Sequence, residues 1–157
     1  MNPISYWQRL KVAFQYVMPQ IYMTQAAGWL AKQKWGAVTH FVIKAFAKKY
    51  NIDMSIAEKE KFSDYASFNE FFIRPLKENA RPINQNPTAL CCPADGRVSE
   101  CGHIDDDRLL QAKGHFFSLN DLLAEDKDLT ETFKNGEFIT TYLSPRDYHR
   151  VHMPCDG

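Results

Sequence analysis

The chain has 157 residues, enough for one ordinary domain or for one small domain with an appendage. With 45% hydrophobic, 24% charged and 13% aromatic residues it is a folding sequence, and disorder is excluded. The net charge of zero hides a division: residues 1–52 hold seven bases and no acid, while the rest carries 19 acids against 12 bases, which points to a basic element facing an anionic partner.

The first elements read as helices. Aromatic and methionine side chains crowd residues 7–35 (Trp7, Phe14, Tyr16, Tyr22, Met23 and Trp29 among them), and Pro19 and Gly28 are expected to divide this stretch into short helices. Val38, Phe41, Val42, Ala45 and Phe46 then recur at i, i+3, i+4, i+7 and i+8, with Lys44, Lys48 and Lys49 off that stripe. Such a helix can lay its stripe on a core with the bases in solvent. It can equally lie in a lipid interface, rings at headgroup depth and bases against anionic lipid. The absence of acids favours the lipid interface. No run reaches the roughly 18 apolar residues of a spanning helix, and no secretory signal is visible. Cys91, Cys92, Cys101 and Cys155 lack any CxxC spacing, which suits a reducing compartment.

Ser67-Phe-Asn-Glu70 is a capping box and predicts a short helix that ends before Pro75. From Arg81 onward Pro82, Pro87 and Pro93 punctuate the chain, and Pro93-Ala-Asp-Gly96 is a strong turn signal. Residues 98–104 and 138–143 read as strands, and Ser118-Leu-Asn-Asp121 caps another short helix over 119–124. The expectation is an α+β fold: amphipathic amino-terminal helices over 1–60, then over 61–157 an incomplete, mainly antiparallel β-rich domain with short helical inserts.

Polar groups concentrate in the last fourteen residues, beginning at Ser144-Pro145-Arg146-Asp147. That tetrapeptide has the form of a helix start, so Asp147 reads as a structural cap. If a helical turn follows, His149 and His152 are i, i+3 neighbours; if the segment is extended they point apart. Together they could begin a metal site, but no third ligand stands at a recognised spacing, and no metal is expected. Asp95, in the Pro-Ala-Asp-Gly turn, could orient an imidazole acting as base for a hydroxyl nucleophile. None of the serines present sits in an evident nucleophile context. Reactive residues crowded against a chain end suggest that their partners lie in polypeptide beyond Gly157.

Four blocks in this order, Phe68-Asn-Glu-Phe-Phe-Ile-Arg-Pro-Leu76, Pro93-Ala-Asp-Gly96, Gln111-Ala-Lys-Gly-His115 and Tyr142-Leu-Ser-Pro-Arg-Asp-Tyr-His-Arg-Val-His-Met-Pro154, resemble the phosphatidylserine decarboxylase family. The resemblance runs nearly the full length and covers the amino-terminal half or so of the usual proenzyme, part of its large (beta) subunit. It implies that Asp95 and His152 are two members of a Ser-His-Asp relay for self-cleavage. The third, a serine in a Leu-Gly-Ser-Thr-like motif, is absent, since the chain has no Gly-Ser dipeptide. In the family that serine attacks the peptide bond before it, and the ester eliminates to leave a pyruvoyl group on the small alpha subunit. The pyruvoyl carbonyl then forms a Schiff base with phosphatidylserine and acts as electron sink for loss of carbon dioxide.

By the same resemblance His149 handles the substrate carboxylate or the protonation that follows, and Asp147 is a support residue. The implied cofactor is pyruvate, as the covalent pyruvoyl group. The implied partners are phosphatidylserine, an anionic phospholipid surface and the small pyruvoyl-bearing subunit, with no nucleic acid; the implied location is peripheral, on the cytoplasmic side of the cell membrane. The chain on its own is expected to be inactive. Competing readings are a non-catalytic peripheral lipid-binding module and a metal-dependent hydrolase using His149 and His152.

Overall fold

The computed structural model describes Trp7 and residues 19–111 and 115–155, and its fold is α+β. Helix α1 (Gln20–Lys32) runs through Gly28 without a break. A Cβ added at Gly28 would meet nothing within 4 Å, so the glycine lowers propensity without disturbing packing. The chain breaks instead at Gly36, whose positive φ of 56° precedes helix α2 (Ala37–Tyr50). Thr39 Oγ1 accepts the Trp35 N–H at 3.0 Å and so satisfies a donor just before the first turn.

The inward face of α2 is not the stripe that the periodicity singles out. Thr39, Ile43 and Ala47 are buried, whereas Val38, Phe41 and Val42 stand out to solvent, Phe41 with 73% of its surface exposed. Of the predicted stripe only Phe46 packs on the core, which gathers Ile43, Ala47, Tyr65 and Phe71 and is flanked by Ile52, Met54, Phe62 and Phe68. Rings meet edge to face within it, Tyr65 with Phe71 at 5.6 Å and Phe46 with Phe68 at 4.9 Å between centroids.

Helix α3 (Phe68–Phe72) is too short to hold by propensity and rests on this packing and on its cap. Ser67 Oγ accepts the Glu70 N–H at 3.2 Å. The return arm differs from the expected box, because Glu70 Oε2 accepts from the N–H of Ala66 at 3.0 Å, one residue earlier. Lys59 pairs with the same carboxylate at 2.7 Å.

Beyond residue 90 the chain forms two antiparallel pairs. Strand β1 (Arg97–His103) pairs with β4 (Glu137–Tyr142), Cys101 opposite Ile139, with an irregularity between Val98 and Glu100. Strand β2 (Arg108–Gln111) pairs with β3 (His115–Ser118). Helices α4 (Leu119–Leu122) and α5 (Lys127–Phe133) lie between β3 and β4, capped by Ser118 and Asp126. A small second core of Ile104 and Leu119, with Leu123 and Phe138 against it, sits beneath this region.

Candidate functional site

The polar segment after β4 turns at Pro145–Arg146 and does not continue as a helix. Asp147 closes that turn in both directions. Its N–H donates to the Ser144 carbonyl at 2.9 Å, and its carboxylate accepts the Ser144 N–H at 2.6 Å. Burial pushes the Asp147 carboxyl up, but hydrogen bonding from Ser144, with Arg146 and His149 nearby, outweighs it and holds the group below the usual carboxylate value.

From the turn the segment runs back across α3. The ring of His149 stacks on Phe72, centroids 4.0 Å apart, and its Nε2 lies 3.0 Å from the Ser144 carbonyl. A carbonyl only accepts, so Nε2 carries the proton and Nδ1 keeps its lone pair in the neutral ring. Arg150 Nε donates to the Ile73 carbonyl at 2.8 Å, and Arg74 donates from Nη2 to the Arg146 carbonyl at 3.2 Å. The His152 N–H donates to Pro93 at 2.8 Å and the Cys91 N–H to Pro154 at 3.0 Å, joining the segment to the Pro93-Ala-Asp-Gly96 turn. Gly96 is required there, because a Cβ would lie 2.6 Å from the Tyr142 carbonyl oxygen.

Asp95 and His152 are thus joined through the backbone two residues apart, while their side chains hold other partners. Asp95 takes both Nε and Nη2 of Arg81, with Nε at 2.8 Å from Oδ2. This contact holds the guanidinium above its usual value. His152 Nε2 lies 2.9 Å from the Tyr148 hydroxyl, the two rings stacked at 18°. His149 and His152 therefore go to separate neighbours, and among the described residues no group of three His, Cys, Asp or Glu converges as for a metal ion.

Sequence reasoning missed Arg74, Arg81 and Tyr148. Tyr148 is 8% exposed and lines a cleft of about 220 Å³ with Arg74, Arg81, Asp95, Arg146 and Asp147. Tyr148 stands four residues before His152 and between two residues singled out as site candidates, a signal that was present. For Arg81, fourteen residues from Asp95, there was no local signal.

A family model described as phosphatidylserine decarboxylase matches residues 68–157, and one described as PSD matches residues 10–51. The phosphatidylserine decarboxylase proenzyme of Haemophilus influenzae is 88% identical over 157 residues, all of this chain and 54% of the relative. That of Pasteurella multocida is 78% identical over 154 residues, 98% of this chain and 52% of the relative. The corresponding proenzyme of Actinobacillus pleuropneumoniae is 71% identical over 153 residues, with the same coverage of 98% and 52%. The chain spans about half the length of the curated relatives it matches. With a family model matched over residues 68–157, more than half of its length, the chain belongs to the phosphatidylserine decarboxylase family.

Proposed function

We propose that this chain is part of a proenzyme that releases carbon dioxide from phosphatidylserine at an anionic membrane surface, using a pyruvoyl group made from a serine of the same proenzyme. The reading is supported by one observation within the family match: a backbone hydrogen bond from His152 to Pro93 joins the terminal segment to the turn that bears Asp95. In self-cleavage His152 takes the proton of the attacking serine hydroxyl, and Asp95 orients the imidazolium that results. To do so, His152 Nδ1–H turns to the Asp95 carboxylate, which keeps lone pairs beyond those that Arg81 uses, and Nε2 exchanges the Tyr148 hydroxyl for the serine.

The residues present fit a pyruvoyl group: a base and an orienter to generate it, and in His149 an imidazole whose Nδ1 keeps its lone pair, on the residue after cleft-lining Tyr148, to serve it. In place, the group supplies an electron sink for the departing carbon dioxide. His149 meets the substrate carboxylate or returns the proton, and Asp147 supports the turn that positions it. The small subunit that bears the group comes from the same proenzyme.

The membrane surface is met by α1 and α2. Ile21, Tyr22, Trp29 and Phe41 are exposed on these helices and Trp35 between them, amid lysines and no acid. No helix of the described residues is long and apolar enough to cross a membrane. The contact in this reading is peripheral, on the cytoplasmic face. Extended to the length of its relatives, the protein should convert phosphatidylserine in detergent micelles to phosphatidylethanolamine with release of carbon dioxide. A processed protein that leaves phosphatidylserine intact contradicts the reading.

A further inference from the structure

Arg74 is the largest fully buried side chain of the described residues, with 2% of its surface exposed. Its guanidinium has one hydrogen bond, from Nη2 to the Arg146 carbonyl, and lies 5.4 Å from the centre of the Phe71 ring. Nε and Nη1 are buried and have no hydrogen-bond partner among the described residues. No carboxylate pairs with it there, although Arg81, on the same cleft, is neutralised by Asp95. A buried cation with two unused donors is expensive to hold, and burial pushes the Arg74 guanidinium below its usual value, with Tyr65 and Asp147 acting the other way. An oxyanion would supply both the missing charge and the missing acceptors, because the planar fork of a guanidinium matches two oxygens of a phosphate or carboxylate.

We infer that the cleft is an oxyanion-binding site, with buried Arg74 as its receptor and the exposed side chain of Arg146 at its rim. The cleft also carries Asp95 and Tyr148, the hydroxyl neighbour of His152. An oxyanion seated on Arg74 therefore lies next to the groups assigned to the chemistry. Resting on the decarboxylase reading for the source of its anion, the site would take the phosphate or carboxylate of a phosphoserine headgroup. Its own chemistry is that of any small oxyanion.

The test is thermal unfolding of the protein extended to the length of its relatives, titrated with inorganic phosphate or with glycerophosphoserine against chloride at matched ionic strength. Both should raise the melting temperature through binding to the folded state. Glycerophosphoserine should act at lower concentration if the headgroup is the ligand, and phosphate equally well if a free anion is. Arg74→Gln should weaken the response about ten-fold or more. Should that variant fail to fold, Arg146→Gln, altered at an exposed position, should weaken it several-fold. A wild-type protein that responds to neither anion beyond chloride overturns the site, as does an unchanged response in the variant that folds. A loss of decarboxylation with the Arg74-dependent response intact would count against the enzyme reading alone. Normal decarboxylation with no such response would count against the site alone.

Discussion

Ser144 holds the candidate site together through its main chain. Its N–H goes to the Asp147 carboxylate, and its carbonyl accepts from both the Asp147 N–H and His149 Nε2. The Asp147 carboxyl is held below its unfolded value of about 3.9, so its contribution is complete above that pH and is lost as pH falls through the folded value. Asp147→Ala should therefore cost about 1 kcal/mol at neutral pH. In urea unfolding the difference from wild type should narrow below about pH 4; a difference that does not change with pH would assign the loss to packing. The pairing of Asp147 with Ser144 was legible as a cap signal, and it closes a turn without starting a helix. Partners that depend on distant chain, such as Arg81 for Asp95, leave no periodic or local trace in a sequence.

At the scale of elements, α2 carries two apolar lines of helical period, and period alone cannot choose between them. The line through Thr39, Ile43 and Ala47 is buried, its small Ala47 standing in the same cluster as the bulky Tyr65 and Phe71. The line through Val38, Phe41 and Val42 is left outside. Both helix-start signals at Ser67 and Ser118 were legible because a cap is a local hydrogen bond between residues three apart. The two lines of α2 should separate in experiment. Ile43→Ala should destabilise the protein by about 2–5 kcal/mol through the cavity it leaves. Phe41→Ala should stay within about 0.5 kcal/mol of wild type. The Phe41 variant should nevertheless bind phosphatidylserine-containing vesicles about ten-fold less tightly, as expected for one large apolar side chain withdrawn from the interface. Unchanged vesicle sedimentation would remove α2 from the membrane contact.

Across the whole molecule, the terminal segment ties the two regions together. His149 lies on Phe72, Arg150 on Ile73 and Arg74 on Arg146, while His152 and Pro154 hold the chain around Pro93. The helical region has a substantial core, whereas each sheet of the described residues has two strands and little beneath it. Val98, Ile139 and Phe116 remain exposed on those strands, an arrangement that further strands could cover. The α+β class was legible because helix and strand periods segregate along the chain, but the folding of the terminal segment across α3 was not. That seam joins the backbone of His152 to the turn that carries Asp95. The most direct measurement is the intact mass of the protein extended to the length of its relatives, wild type beside His152→Ala. Wild type should appear as two pieces, the smaller with a pyruvoyl-blocked amino terminus, and the variant as one uncleaved chain with scission slowed about a thousand-fold. Scission of the variant at the wild-type rate would contradict the relay.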